Sequence, residues 1–97
     1  MEIETKSEGE KLTIAVSGRV DTVTAPELAA SFQFGDATCV VLDLADVQYM
    51  SSAGLRLLLI AHKTMLEKGG KFLIANPQPV VKEVLDITGF SGILNLV

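Results

Sequence analysis

The feature that most constrains the fold is the run at residues 40–44, which is apolar at every position except Asp43. A short continuous apolar run of this kind predicts a strand buried on both faces, as in a parallel sheet covered by helices. The chain has 97 residues and 48% of them are hydrophobic, which is enough to build one core. We therefore expect a single α/β domain over residues 1–97.

The strongest helix signal follows this strand and runs from about residue 52 to residue 68. Apolar side chains recur there at spacings of three and four, which places them along one side of a helix. The stripe predicted to face the core contains Leu55, Leu58, Leu59, His62, Met65 and Leu66.

Other strands and helices alternate along the chain. We predict strands at residues 3–6, 12–16, 72–75 and 93–97, and helices from Thr24 to about Phe32 and over residues 79–88. Thr24 and Glu27 are expected to form a capping box at the first of these helices. The inward positions of the last helix are predicted to be Val80, Val81, Val84 and Leu85. Two strands before the alternation begins indicate a mixed sheet with an antiparallel edge.

Composition excludes several classes of function. The net charge is −4 and no basic cluster is present, so nucleic acid is not expected as a partner. No signal peptide is expected from the acidic start of the chain, and the longest apolar stretch, residues 57–61, is far shorter than the roughly 20 residues of a membrane span. These features predict a cytoplasmic protein without direct membrane insertion. The single cysteine, Cys39, excludes an intramolecular disulfide and is expected to be buried.

The start of the long helix carries the chemistry of most interest, a Ser-Ser-Ala-Gly sequence at residues 51–54. A helix N-terminus favours negative charge by about 0.3–1 kcal/mol, and a phosphate on Ser52 would bring about −1.5 to −2 charge there. Phosphorylation could thus change the surface without unfolding the domain. The alternative is that Ser51 or Ser52 serves only as the N-cap.

No catalytic constellation is apparent, and neither a cofactor nor a metal is expected. His62, the only histidine, lies ten residues after Ser52, roughly 15 Å along a helix, so it cannot activate that serine. One histidine and one cysteine do not make a metal site. Asp21, in the loop at residues 17–22, is either a partner contact or a residue that stabilises the turn.

Three segments of the chain form a recognisable combination: VSGRVDTVTAPEL at residues 16–28, VVLDL at residues 40–44 and YMSSAGL at residues 49–55. Together they resemble the STAS domain family, and more narrowly the bacterial anti-sigma factor antagonists. The resemblance implies a mixed sheet of four to five strands with helices packed mainly on one face. It also implies a switch: the domain binds an anti-sigma factor that is a serine kinase, is phosphorylated by it and released, and is reset by a phosphatase.

Carried over by position, Ser52 matches the phosphorylated serine of that family. Ser51 stands where many antagonists have aspartate, so it is the alternative acceptor. The partner-binding residues implied by the resemblance are Asp21, Thr22, Tyr49, Met50, Ser51, Ala53, Gly54 and Leu55. Family members often add a helix beyond the position of Val97, and an apolar edge left without that helix would favour a homodimer.

Two alternatives from other classes remain at this point. One is a STAS scaffold subunit of a membrane lipid-transport or transporter complex, without a phosphorylation cycle. The other is a small enzyme or ligand-binding domain, for which the sequence offers no catalytic group.

Overall fold

The elements of the structure alternate as the sequence predicts, and the α/β class is confirmed. The computed structural model describes residues 1–97. In chain order the elements are β1 (Glu2–Glu8), β2 (Lys11–Val20), α1 (Ala25–Ser31), β3 (Cys39–Met50), α2 (Ser52–Glu67), β4 (Lys71–Ala75), α3 (Pro79–Ile87), a 3-10 turn (Phe90–Gly92) and β5 (Asn95–Leu96). None of the helices has the length and apolar character that a membrane span requires.

The five strands form one sheet in the order β1-β2-β3-β4-β5. β1 is antiparallel to β2, and every other neighbouring pair is parallel. The predicted mixed sheet with an antiparallel edge is therefore confirmed.

All three α-helices pack on the same face of the sheet, as the family resemblance implies. Ile14, Leu42 and Ile74 lie side by side on β2, β3 and β4, and each is fully buried. Leu58 of α2 and Leu85 of α3 belong to the same apolar cluster, which contains 19 buried residues. Burial of alternate side chains against the helices gives the sheet its single covered face.

The opposite face of the sheet has no helix on it, which corrects two expectations. The strand containing residues 40–44 is buried on one side only, because Val41 and Asp43 point away from the helices and remain half-buried. Cys39 points the same way and is also half-exposed, not buried as expected. We call this surface the open face; it consists of Glu2, Glu4, Lys6, Glu8, Lys11, Thr13, Ala15, Ser17, Cys39, Val41, Asp43, Asp46, Lys71, Leu73, Ala75 and Asn95.

β2 and β3 are longer than predicted. β2 passes through Gly18 to Val20, and β3 continues beyond the apolar run at residues 40–44 as far as Met50. The pairing of these strands shifts register twice, between Ala15 and Ser17 and again at Gly18. Such irregularities break the alternation of buried and exposed residues, so the second half of each strand does not show a period of two.

Two apolar residues predicted to face the core are instead exposed. Leu66 at the end of α2 is 58% exposed, and Val80 at the start of α3 is 49% exposed. In each case the neighbouring residue, Met65 or Val81, is fully buried and occupies the inward position. Ala61 completes the buried stripe of α2, where a small side chain gave no clear signal in the sequence.

Burial along α2 predicts that substitution of Leu58 and of Leu66 will lower the free energy of unfolding by very different amounts. Leu58→Ala should lower the free energy of unfolding by about 2–5 kcal/mol, because it removes a fully buried side chain and leaves a cavity. Leu66→Ala, the matched control on the same helix, should change it by no more than about 0.5 kcal/mol. Urea denaturation measures both values; similar losses for the two variants would contradict the assigned face of α2.

Candidate functional site

The two central strands end side by side, and their ends create the site. Val20, the last residue of β2, pairs with Met50, the last residue of β3. The Ser51 N–H donates a hydrogen bond of 2.8 Å to the Val20 carbonyl, which extends this pairing by one residue. The segments that follow, Asp21 onward and Ser52 onward, therefore leave the sheet at the same edge. This juxtaposition joins the two halves of the predicted site.

Of the two serines at the start of α2, Ser51 is the one that caps the helix. Ser51 has extended backbone angles, and its Oγ accepts a hydrogen bond of 3.4 Å from the Gly54 N–H. Its carbonyl accepts the first helical bond, from the Leu55 N–H at 3.0 Å. Ser52 is the first residue of the helix and is exposed. Its hydroxyl is thus free of the capping role, at the end of the helix that favours negative charge.

Gly54 lets the start of α2 approach the ends of β2 and β3 very closely. A Cβ atom at this position would lie 2.7 Å from Cγ1 of Val20 and would also collide with the sulfur of Met50. Met50 and Leu55 are 4% and 5% exposed and pack in the core beside it. The helix start is consequently held against the sheet by packing as well as by its cap.

Asp21 organises the turn between β2 and α1. Its Oδ1 accepts hydrogen bonds of 3.0 Å from the N–H groups of both Val23 and Thr24. The N–H of Thr24 is the main cause of a lowered pKa for the Asp21 carboxyl, and the Thr24 hydroxyl, the Val23 N–H and Arg19 lower the pKa further, against a partial loss of hydration. Asp21 is therefore a carboxylate with an established structural role in the turn.

The predicted capping box at α1 is absent. The Thr24 side chain makes no capping bond; its hydroxyl donates to the Arg19 carbonyl at 2.8 Å and accepts from the Asp21 N–H at 2.9 Å. The hydroxyl of Thr24 therefore stabilises the turn between β2 and α1, together with Asp21. Sequence spacing alone identified Thr24 as the residue before the helix but not the direction of its hydroxyl.

Arg19 belongs to the site and was missed by sequence analysis. It pairs with Tyr49 across β2 and β3, and its guanidinium lies 4.3 Å from the centre of the Tyr49 ring. Its Nε also lies 4.0 Å from Oδ2 of Asp21. A cation over an aromatic ring is stabilised by the ring's negative face. The signal for this contact is the register of the two strands, which the sequence does not show.

The structure brings the predicted site residues together but gives them two different environments. Thr22, Tyr49 and Ser52 are exposed, whereas Asp21, Ser51 and Ala53 are partly exposed. The other three predicted partner-binding residues, Met50, Gly54 and Leu55, are buried. The side chains of Met50 and Leu55 pack beneath the exposed surface, and Gly54 allows the start of α2 to lie close to the strand ends.

A shallow groove lies beside Ser52, between the first turns of α2 and the end of α3. Apolar side chains form much of its wall, and Arg56 and Thr88 contribute polar groups. The groove is lined by Ser52, Leu55, Arg56, Leu59, Thr88 and Phe90. The exposed serine thus stands at the rim of a concave surface.

The groups near Ser52 suit binding better than acid–base chemistry. His62 lies further along α2 and is half-buried. No three His, Cys, Asp or Glu side chains converge in a way that could hold a metal ion. What the arrangement offers is the exposed hydroxyl of Ser52 at a helix start, at the same edge of the sheet as the Asp21 carboxylate and the Arg19–Tyr49 pair.

Comparison with known proteins connects this arrangement with one family. The model of the STAS domain matches residues 2–97. BtrV of Bordetella bronchiseptica, provisionally named as an anti-sigma factor antagonist, is 42% identical over 69% of this chain. That match spans 57% of the length of BtrV. The anti-sigma F factor antagonist of Paenibacillus polymyxa is 28% identical over 97% of this chain and 84% of its own length.

Solved structures agree in fold. SpoIIAA, an anti-sigma factor antagonist, in its unphosphorylated form has a TM-score of 0.83 and 19% identity, covering 99% of this chain and 88% of its own. The phosphorylated form of SpoIIAA, from Bacillus, has a TM-score of 0.76 and 18% identity, covering 99% and 91%. The sheet and helices described above are therefore those of this group of structures.

The hydrogen bonds at Asp21 predict a pH dependence of stability. Because folding lowers the pKa of Asp21 below its ordinary value of 3.8, its stabilising effect is complete above that value and is lost as the pH falls through the lower folded pKa. The melting temperature of Asp21→Asn should therefore lie below that of the wild type at pH 6, and the gap should narrow in acid. Asp36→Asn, which removes an exposed carboxylate in another turn, controls for the change in net charge. A gap for Asp21→Asn that does not change with pH would contradict this role.

Proposed function

Because the chain belongs to the STAS domain family, we propose that it is an anti-sigma factor antagonist controlled by phosphorylation of Ser52. In this proposal the unphosphorylated protein binds an anti-sigma factor that is also a serine kinase, and so frees a sigma factor. The kinase transfers phosphate to Ser52, and the complex separates. A cytoplasmic phosphatase restores the binding form. The observation that carries the proposal is an exposed serine at the first position of a helix whose cap is supplied by its neighbour.

Ser52 is a better phosphate acceptor than Ser51. Ser51 is half-buried, its N–H is bonded to Val20, and its hydroxyl caps α2. A kinase that modified Ser51 would have to reach a half-buried hydroxyl that already accepts a hydrogen bond from the Gly54 N–H. A phosphate on Ser52 would keep the cap and would lie near the positive end of α2. Ser51 remains the alternative site.

A partner surface around Ser52 explains how a phosphate would disrupt binding. Its accessible members are Asp21, Thr22, Tyr49, Ser51, Ser52 and Ala53, and Arg19 adds a positive charge over Tyr49. A partner that covers this surface would have to remove water from a group with about −1.5 to −2 charge. Desolvation and repulsion from the Asp21 carboxylate would then oppose binding, and a loss of about 3 kcal/mol weakens a complex more than about a hundredfold.

The relatives described above favour this function over the alternatives. BtrV and the Paenibacillus polymyxa protein are both named as antagonists of anti-sigma factors, not as enzymes or transporter subunits. SpoIIAA has been solved in phosphorylated and unphosphorylated forms with the same fold as this chain. These relationships give no support to the scaffold subunit of a membrane transporter, and they supply the class of partner to test first.

Phosphosite mapping tests the acceptor. The protein is incubated with ATP and a lysate of its source organism that contains active kinases, and the modified peptide is sequenced by mass spectrometry. We expect a single phosphate on Ser52 that disappears in Ser52→Ala and persists in Ser51→Ala. Phosphate on Ser51 alone would move the switch by one residue, and phosphate on neither serine would refute the phosphorylation cycle.

Binding measurements test the switch itself. Isothermal titration against the anti-sigma factors of the source organism should find one that binds the wild type and Ser52→Ala with similar Kd. Ser52→Asp should weaken that complex, by up to about a hundredfold if the carboxylate reproduces much of the phosphate's effect. Ser7→Asp adds the same charge at an exposed position at the other end of the sheet and should leave the Kd unchanged. Equal effects of the two aspartates would contradict a partner surface at Ser52.

A further inference from the structure

The open face is an unusual surface for this type of sheet. β2, β3, β4 and β5 are mutually parallel, and parallel strands are found almost always in sheets covered on both faces. Here the helices cover one face only. Val41 and Leu73 lie next to each other at the centre of the uncovered face, with Thr13 beside them on β2. A central apolar strip with no covering element indicates a surface that another molecule covers.

Positively and negatively charged side chains of this face lie toward opposite ends of the strands. Lys11 and Lys71 stand at the end where β2, β3 and β4 begin, and Lys6 pairs with Thr13, two residues further along β2; all three lysines are exposed. Glu8 also lies at that end and forms an ion pair of 2.8 Å with Lys6. This end of the open face therefore carries a net positive charge.

The other end of the open face is acidic. Glu2 and Glu4 on β1 and Asp46 on β3 line one shallow depression together with Ala15 and Ser17. Asp43 pairs with Ala15 in the sheet and adds a fourth carboxylate on the same side. No basic side chain of the open face lies at this end. The face thus has a positive end, an apolar centre and a negative end.

From this pattern we infer that the open face is the interface of a symmetric homodimer. A second copy of the chain offers what the pattern requires: negative charge opposite the positive end, positive charge opposite the negative end, and an apolar strip opposite the apolar strip. A partner of one sign would match one end and repel the other. A two-fold interface places the same patch of both copies in contact, so a self-complementary pattern is the one that it needs.

The charges also fix the direction of the symmetry axis. With the axis parallel to the strands, lysines would face lysines and carboxylates would face carboxylates. With the axis lying across the strands, Lys11 and Lys71 of one copy approach the row of the other copy that holds Glu4 and Asp43. The two sheets then pack face to face, about 10 Å apart, as in a sandwich. The Ser52 site lies at the ends of the strands, and its helices lie on the far face, so the dimer leaves it accessible.

Charge reversal at each end provides the test. Lys11→Glu with Lys71→Glu makes an acidic variant, and Glu4→Lys with Asp46→Lys makes a basic one. Sedimentation equilibrium from about 1 μM to about 1 mM covers the range of weak complexes. We expect the wild type to dimerise and each variant alone to associate at least about tenfold more weakly, because like charges then face each other. An equimolar mixture of the two variants should recover a dimer, since the ends are complementary again.

The control carries the same change of charge on the helices, as Lys63→Glu with Lys82→Glu, and should dimerise like the wild type. A wild type that is monomeric throughout the range would overturn the inference. So would a dimer that both charge variants retain, which would point instead to another surface, such as the apolar edge at Ile93 and Val97. Circular dichroism confirms that each variant is folded before its association is measured.

Cys39 supplies a second readout without any substitution. It is the only cysteine of the chain, and it lies half-exposed on the open face between Lys11 and Lys71. Its rate of reaction with a small thiol reagent should fall as the protein concentration rises through the dimer range, because the partner's sheet covers it. A rate that does not depend on concentration while the protein dimerises would place the interface elsewhere.

Discussion

One-sided burial of the sheet is the constraint on which the rest of the structure depends. Alternate residues of β2, β3 and β4 enter a single apolar cluster that contains side chains from all three α-helices. At about 25 cal/mol for each Å² of apolar surface removed from water, this cluster is the main source of stability. Because all three α-helices of residues 1–97 pack on that side, the other face of the sheet is uncovered. The position of the helices and the chemistry of the open face thus have the same cause.

The site at Ser52 is built by backbone pairing and close packing, with little contribution from its own side chains. The hydrogen bond between Ser51 and Val20 fixes where the sheet ends and α2 begins. Gly54 then brings the helix against Val20 and Met50. Ser52 takes its exposed position from these neighbours. A substitution far from the hydroxyl, within this packed layer, would therefore disturb the site as much as a change on its surface.

The sequence correctly predicted those features of the fold that are determined by residues close together in the chain. The α/β class and the extent of α2 follow from residues 40–44 and from the apolar repeat after Ser52, and the order of elements follows from these together with the shorter segments that alternate with them. The register of β2 against β3 depends on residues far apart in the chain, so the sequence did not predict it. Because that register is irregular, the second half of both strands was not recognised, and neither was the contact between Arg19 and Tyr49. Periodicity alone also could not separate Leu66 from Met65, because adjacent apolar residues near the edge of a stripe are distinguished only by the tilt of the helix on the sheet.

The close approach at Gly54 has a consequence for how quickly this domain can report a change. The first turn of α2 is in direct contact with two strand ends and has no space in which to shift, so a charge added at Ser52 acts where it is placed. No hinge has to open and no segment has to fold before a partner meets the altered surface. The charge of the surface would then change without a change in the conformation of the backbone. In the proposed cycle, the response time would therefore be set by the enzymes that add and remove the phosphate and by the lifetime of the complex.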